Sequence, residues 1–282
     1  MTDATARGIA QPLGQSLGQP IVIEARTGAN GILAMEVCAK SPPDGYTVCL
    51  PNNSQVSLNP LVYANLPYDP VRDFTPIIYI ANNNGAIVVH STVPANTMPE
   101  LVEYAKANPG KVNWATWGPS SFAYLTLAWV QNNTGASFFH VPYKTPMQAL
   151  QSVIAGEAQV TQNNPQIAMP MIKAGKIKVL VLAGHKRYGL LPDVPSFVEA
   201  GYELDYAGWY GMFAPAGTPK PIVQRLNAEV GKLIADPKFV EKFLTPFASS
   251  PVGGTPEEFA AFLEKDRETA AKLAKIANLK PQ

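Results

Sequence analysis

The sequence predicts an α/β protein with one large or two medium domains, and three observations support this class. The chain has 282 residues, 46% of them apolar, and a chain of this length buries roughly 75% of its unfolded surface. Short apolar runs alternate with segments of helical length, and turns rich in proline and glycine separate them. Strands that are joined through helices need crossover connections, so we expect mainly parallel sheets with both faces covered.

The predicted elements follow in a regular order. The strands cover residues 21–24, 47–50, 75–81, 86–89, 112–115, 138–140, 158–161, 179–183 and 210–214. The helices cover residues 32–40, 98–108, 122–134, 147–155, 165–174, 196–200, 220–235, 237–244 and 255–276. Thr97 and Thr255 each precede a proline and an acidic residue, which is typical of a helix N-terminus. The last helix carries an apolar stripe that we expect to face the core, formed by Phe259, Phe262, Leu263, Leu273 and Ile276.

The charge balance argues against several classes of partner. Lys and Arg together number 22 and Asp and Glu 21, which gives a net charge of +1. A nucleic acid or an anionic membrane normally requires a basic face, so we expect neither as a partner. No apolar run approaches the roughly 18 residues of a membrane span, and residues 1–30 lack the apolar region and cleavage site of an export signal.

The motifs of common enzymes and cofactor sites are missing from the sequence. It contains no Gly-x-Gly-x-x-Gly fingerprint, no phosphate-binding loop, no His-Glu-x-x-His and no Gly-x-Ser-x-Gly elbow. His90, His140 and His185 lie far apart, and we interpret them as structural or surface residues rather than metal ligands. We therefore predict no catalytic residue, no metal and no cofactor.

The two cysteines, Cys38 and Cys49, exclude a disulfide scaffold and a four-cysteine zinc site. They are able to pair with each other in an oxidising compartment. The favoured interpretation is two buried free thiols, one on a helix and one on the next strand.

A series of motifs from residue 18 almost to the end resembles a known family. The series consists of Gly-Gln-Pro-Ile-Val-Ile-Glu (18–24), Ser-Pro-Pro-Asp-Gly-Tyr-Thr (41–47), Asn-Pro-Leu (59–61), Leu-Pro-Tyr-Asp-Pro-Val-Arg-Asp-Phe (66–74), His-Val-Pro-Tyr-Lys (140–144), Lys-Ala-Gly-Lys (173–176), Leu-Pro-Asp-Val-Pro-Ser (191–196) and Trp-Tyr-Gly-Met-Phe-Ala-Pro-Ala-Gly-Thr-Pro (209–219). In order and spacing these motifs resemble the Bug receptors, the solute-binding proteins of tripartite tricarboxylate transporters. The resemblance covers roughly residues 2–275.

The resemblance implies a fold, a domain division and a function. The fold is that of type II periplasmic binding proteins, with two mixed sheets flanked by helices and a ligand cleft between the domains. Domain 1 would comprise residues 1–90 and 213–282 and domain 2 residues 91–212, with crossings near 86–90 and 210–214. The function implied is that of a periplasmic, monomeric receptor without enzymatic activity, which captures a small carboxylate and delivers it to the membrane permease of the transporter.

The candidate ligand-binding residues lie mostly at strand ends and helix starts: Thr2, Asp3, Ser54, Gly118, Ser120, Ser121, Tyr143, Asn163, Asn164 and Trp209. The turn before helix 122–134 offers backbone amides, hydroxyl groups and a positive helix end, which together attract an anion. The alternative for its serines is ordinary helix capping. Tyr143 and Trp209 would either wall the cleft or pack in the core.

Asn163 departs from the family pattern, which commonly has Asp followed by Asn at positions 163 and 164. An amide in place of a carboxylate removes a fixed charge that would recruit a cationic group. We therefore expect no selection for an amino group at this point.

The beginning of the chain departs from the pattern more strongly. The resemblance implies a leader and a first strand ahead of Met1, so we expect this strand and most of one carboxylate-binding loop to be missing. Either an upstream segment is absent or the chain is a decayed copy with altered function. Pro12, with Gly8 and Gly14, weakens the predicted first helix.

Two other functions remain open on the sequence. One is a ligand-sensing or vestigial binding protein that is not coupled to transport. The other is a serine hydrolase that uses Ser120 or Ser121.

Overall fold

The structure is a computed structural model, and it describes residues 2–26, 29–83, 85–118, 121–184, 187–204 and 206–281. The chain forms two compact units. Unit 1 comprises Met1–Asn83, Trp209–Ala271 and Lys280–Gln282, and unit 2 comprises Asn84–Gly208 and Lys272–Leu279. The domain boundaries expected from the sequence stay a prediction.

The helices and strands have the following bounds. The helices are α1 (Thr2–Leu17), α2 (Ile32–Ala39), α3 (Asn59–Val62), α4 (Met98–Ala107), α5 (Phe122–Thr134), α6 (Pro146–Ile154), α7 (Pro165–Lys173), α8 (Lys220–Ala235), α9 (Pro237–Phe243) and α10 (Pro256–Ile276). The strands are β1 (Phe74–Asn83), β2 (Ala86–His90), β3 (Asn113–Thr116), β4 (Phe139–Pro142), β5 (Val160–Asn163), β6 (Ile177–Leu182), β7 (Gly208–Pro215) and β8 (Ser249–Gly253). A π-helical turn, Ser54–Leu58, leads directly into α3.

The sheet of unit 1 has three strands in the order β7-β1-β8, and β1 and β8 are antiparallel. The helix α8 packs against it because its buried residues recur every three or four positions: Val223, Leu226, Val230 and Ile234. Ile9 and Leu13 of α1 join the same core. The helix α1 therefore continues through Pro12, since buried residues on both sides of the proline hold it in place.

A second core of unit 1 is aromatic. The Trp209 ring lies 5.7–6.4 Å, between centroids, from the rings of Tyr79, Phe213, Phe259 and Phe262. The helix α10 contributes Phe259 and Phe262, so this part of its predicted apolar stripe faces the core.

Cys38 and Cys49 form a disulfide, with their Cα atoms 6.2 Å apart. The favoured expectation of two free thiols is therefore wrong. Cys49 exchanges two backbone hydrogen bonds with Phe213 of β7, both at 2.9 Å. This backbone pairing holds Cys49 beside the end of α2, where Cys38 lies. No sequence pattern revealed the pairing of Cys49 with Phe213.

The sheet of unit 2 has five strands in the order β4-β3-β5-β2-β6. The strands β4 and β5 are parallel to β3, whereas β2 is antiparallel to both of its neighbours, β5 and β6. The expectation of mainly parallel pairing is thus only half correct. Crossover helices do give β3, β4, β5 and β6 one direction, but β2 inserts between β5 and β6 in the opposite direction.

Three predicted elements differ in the structure, and the strand β8 was not predicted. Residues 21–24 are extended without forming a strand, and residues 47–50 contain only the bridge from Cys49 to Phe213. Residues 196–200 form turns rather than a helix. The strand β8 was missed because Ser-Ser-Pro-Val-Gly is typical of a turn, and an edge strand tolerates its proline.

Candidate functional site

In unit 2, polar candidates meet at the carboxyl edge of the parallel strands β4, β3 and β5. The helices α5, α6 and α7 begin there, each directly after one of these strands. Their N-caps are Ser121, Thr145 and Asn164, whose side chains accept hydrogen bonds from backbone amides of the first turn. Three helix N-termini at one sheet edge give a region of positive potential built from backbone amides, which suits an anion.

The turn between β3 and α5 combines a cap with an open backbone. Gly118 has a φ of 104°, a conformation that glycine adopts without strain. The Ser121 hydroxyl donates to the Gly118 carbonyl at 2.6 Å and accepts from the Tyr124 amide at 3.2 Å. Ser121 therefore has the capping role that was the alternative to ligand binding. What the turn can offer an anion is mainly backbone N–H groups. Ser120 lies outside the described residues.

Asn163 and Asn164 hold the start of α7. The buried Asn163 donates from Nδ2 to the Pro146 carbonyl at 2.8 Å and accepts from the Asn164 amide at 2.9 Å. The Asn164 side chain accepts from the Gln166 amide at 2.9 Å. The Asn163 carboxamide thus ties the end of β5 to the start of α6, and its two polar groups are already used within the protein.

Tyr143 and His140 lie at the end of β4. The Tyr143 amide donates to the Thr116 carbonyl at 2.7 Å, which brings the ends of β3 and β4 together. The His140 Nε2 atom lies 2.7 Å from the Thr116 hydroxyl, and the Tyr124 ring lies 4.9 Å from the imidazole. Burial lowers the pKa of His140 below its ordinary 6.5, so the ring is neutral at pH 7. Sequence reasoning had assigned His140 no role at this edge.

In unit 1, Ser54 belongs to the stretch of residues 52–59, here called the 52–59 segment. The Asn52 backbone forms a bridge with Tyr210 of β7. Its side chain accepts from the Ser54 amide at 2.8 Å, and its own amide donates to Gln55 Oε1 at 2.8 Å. The segment then forms the π-helical turn, a rare geometry that is frequent at functional sites.

A polar network holds one side of the 52–59 segment. The Tyr68 hydroxyl donates to the Gln55 carbonyl at 2.7 Å and accepts from Asn59 Nδ2 at 3.1 Å. Asn30 donates to Asn59 Oδ1 at 2.6 Å, and Gln55 Nε2 donates to the Asn30 carbonyl at 3.0 Å. Burial raises the pKa of Tyr68 to about 12, so its hydroxyl keeps its proton at any physiological pH.

Asp266 of α10 holds the other side of the segment. Ser57 Oγ donates to Asp266 Oδ2 at 2.5 Å, and both residues are buried. Burial raises the pKa of Asp266 to about 6, although the hydrogen bond from Ser57 opposes this shift. Sequence reasoning missed Asp266, but a signal existed, since Leu263, Asp266 and Ala270 share one face of α10 and the two flanking residues are apolar and buried.

The three remaining candidates lie in unit 1. Thr2 and Asp3 form the first turn of α1, where Asp3 accepts from Arg7 Nε at 2.9 Å. That hydrogen bond lowers the pKa of Asp3. Trp209 is 1% exposed within the aromatic core, so in this structure its side chain packs rather than lines an open surface.

The described part of the chain contains neither a metal cluster nor a membrane-spanning helix. There, no three His, Cys, Asp or Glu side chains lie close enough together to hold a metal ion. None of the helices described combines the length and the apolar character that crossing a bilayer requires.

Comparison with known proteins identifies the family. The family described as "Tripartite tricarboxylate transporter family receptor" matches residues 5–279. BugT of Bordetella pertussis is 30% identical over 282 residues, which covers 96% of this chain and 86% of BugT. A protein of R. palustris solved with adipate is 32% identical, with a TM-score of 0.87 over 100% of this chain and 94% of that chain. MatC from Rhodopseudomonas palustris, solved with bound malate, is 28% identical, with a TM-score of 0.77 over 98% of this chain and 94% of MatC.

These similarities confirm the predicted fold class of two mixed sheets flanked by helices. They also confirm that the relatives are solute-binding receptors rather than enzymes, which removes the hydrolase alternative. Receptors of this family are periplasmic. Since the family match extends over nearly the whole chain, the protein belongs to the tripartite tricarboxylate transporter receptor family.

Proposed function

We propose that this protein captures a small dicarboxylate outside the cytoplasm and delivers it to the permease of a tripartite tricarboxylate transporter. The observation that carries the proposal is the similarity to the R. palustris protein solved with adipate, which extends over the whole chain. MatC with bound malate supports the same ligand class. Both ligands are four- to six-carbon acids with two carboxylates.

The chemistry of the unit 2 edge supports an anionic ligand. The N-termini of α5, α6 and α7 supply amide donors at the ends of parallel strands. The proposed contacts there are Gly118, Ser120 and Ser121 in the turn before α5, together with Tyr143 and Asn164. Backbone amides bind a carboxylate without burying a counter-charge, so the ligand can leave again when it reaches the permease.

In unit 1, the proposed ligand contacts are Ser54, Thr2 and Asp3. Tyr210 connects these elements, since its backbone pairs with Asn52 and its hydroxyl lies 3.3 Å from the Thr5 hydroxyl. We retain Asn163 as a residue that shapes the unit 2 edge through its bond to the start of α6, and Trp209 as a packing residue of the aromatic core of unit 1.

The proposal is tested by thermal denaturation with adipate, malate, citrate and benzoate, each added to the purified chain. Adipamide is the matched control, because it has the length of adipate without its charges. A ligand at about one hundred times its Kd adds about 2.7 kcal/mol of apparent stability. We expect adipate or malate to raise Tm and adipamide to have no effect, and equal shifts with adipate and adipamide, or none with any acid, would refute carboxylate capture.

Delivery to the permease needs a separate measurement. In the source cell, deletion of the gene for this chain should abolish uptake of the acid that raises Tm, and uptake should return with the intact gene. Unchanged uptake would leave a binding protein that is not coupled to transport.

Asn163 allows a test of ligand selectivity. Asn163→Asp restores the carboxylate that is common in the family, but it also removes the Nδ2 donor to the Pro146 carbonyl, so Tm is recorded beside binding. We expect the variant to improve binding of acids that carry an amino group, such as glutamate, relative to adipate. An unchanged ratio of the two dissociation constants would show that position 163 does not select the ligand.

A further inference from the structure

The π-helical turn sets the direction in which Ser54 faces, because a change of one residue in the turn would rotate Ser54 about the helix axis. The turn Ser54–Leu58 closes with one more residue than an α-helical turn, and α3 follows without a break. If the turn relaxed to α-helical geometry, the residues before it would rotate about the helix axis by about 100° per residue. Ser54 would then present a different face.

Three attachments of the 52–59 segment differ in where they act. The bridge from Asn52 to Tyr210 fixes its beginning, and the Tyr68 network fixes Gln55 and Asn59. The hydrogen bond from Ser57 to Asp266 acts within the π-helical turn itself and joins it to α10, across 209 residues of sequence.

Burial of Asp266 is a poor way to gain stability. The carboxyl group is buried on the apolar face of α10, and its burial raises its pKa. A buried carboxylate is costly unless its hydrogen bonds compensate. Besides Ser57, the Trp209 side chain and then the Arg267 charge favour the ionised carboxylate, and together they only partly offset this cost. A leucine at position 266 would avoid the cost of a buried carboxyl group but would leave the buried Ser57 hydroxyl without its acceptor, so the carboxylate is explained by its role in fixing the turn.

We propose that Asp266 is a positioning residue, which through Ser57 holds the register of the π-helical turn and thereby the ligand-binding geometry of Ser54. The proposal rests on the proposed function, because the register affects affinity only if the 52–59 segment contacts the ligand. Asp266 itself does not touch the ligand.

Three variants separate positioning from stability. Asp266→Asn keeps an acceptor for the Ser57 hydroxyl, Asp266→Leu removes it while filling the space, and Ser57→Ala removes the donor. Asn227→Ala is the matched control in unit 1, since it deletes hydrogen bonds of 2.8 and 2.9 Å from α8 to the carbonyls of Ile77 and Gly254 and leaves the segment intact.

The primary measurement is the Kd for adipate and for malate by calorimetry, with Tm recorded for each variant. We expect Asp266→Leu and Ser57→Ala to weaken binding at least tenfold, and Asp266→Asn to remain within threefold of the wild type. Asn227→Ala should lower Tm without changing Kd. Binding within twofold of the wild type in both Asp266→Leu and Ser57→Ala would overturn the proposal, as would an equal loss in Asp266→Asn.

A second measurement keeps the test independent of the ligand. Hydrogen exchange at the amides of residues 56–59 should become faster in Asp266→Leu and stay unchanged in Asn227→Ala. If the wild-type chain binds neither acid, the proposed function fails, and exchange alone decides the positioning role. Unchanged exchange in Asp266→Leu would overturn that role whatever the ligand is.

Discussion

Asp266→Asn should stabilise the protein at neutral pH and have little effect at acidic pH. Burial raises the pKa of the carboxyl group from its ordinary 3.8 to about 6. Between these two values the folded chain binds more protons than the unfolded chain, so the free energy of unfolding falls as pH rises. The shift of about two units corresponds to roughly 3 kcal/mol. An amide at position 266 does not titrate, and its oxygen still accepts from Ser57.

The assay is urea unfolding of the wild type and of Asp266→Asn at pH 4, 5, 6, 7 and 8. The difference in unfolding free energy should be small at pH 4 and reach roughly 3 kcal/mol above pH 7, which corresponds to a gain in Tm of roughly 6–12 °C. The pKa of Glu199 is lowered by the Ser196 backbone amide and by Arg187, and that of Glu229 by Lys232; both surface carboxylates act equally in the two proteins and cancel. Glu264→Gln, on the exposed face of α10, is the control. A difference that does not change with pH would refute the reasoning, because the carboxyl group would then not be buried as described.

Three further changes have outcomes fixed by the structure. Replacing Cys38 and Cys49 by alanine should cost roughly 2–3 kcal/mol, because the disulfide closes a loop with a sequence separation of 11, and reductant should then no longer affect the urea midpoint. Gln162→Met should raise Tm, since Oε1 and Nε2 of Gln162 are buried without a partner among the described residues. Each such atom costs about 1–3 kcal/mol of folding free energy. A lower Tm would show that Gln162 has a hydrogen-bond partner. Gly211→Ala should lower Tm by several degrees, because the added Cβ would lie 2.7 Å from Cε1 of Phe259, and an unchanged Tm would contradict the close packing of β7 on α10.

The sequence predicts best where the signal is local. The bounds of α5 were predicted because Ser121 caps its start and Gly135, with a φ of 73°, ends it. The predicted bounds of α8 also agree with the structure, since its apolar residues keep a helical period between Pro219 and Asp236. Residues 21–24 show the limit, because a short run of β-branched residues forms a strand only if a partner strand lies beside it, and the run itself does not show whether a partner exists.

In the candidate site, too, local contacts were predictable from the sequence and long-range contacts were not. The capping roles of Ser121 and Asn164 were accessible, since each side chain bonds an amide two or three residues away. The contact from Ser57 to Asp266 and the packing of Trp209 depend on residues far apart in sequence. For the contact from Ser57 to Asp266, the one available signal was a single acidic residue in the apolar stripe of α10. The partner of this acid is seen only in the tertiary structure.

The proline in β8 has a consequence for the protein at high concentration. The strand β8 is an edge of the unit 1 sheet, and edge strands can recruit a second chain into intermolecular β-structure. Pro251 lies in the middle of this edge, is exposed and has no N–H group to donate. A second chain adding there would lack the hydrogen bond that an N–H group at position 251 would donate, so Pro251 disfavours self-association through β8 at high concentration.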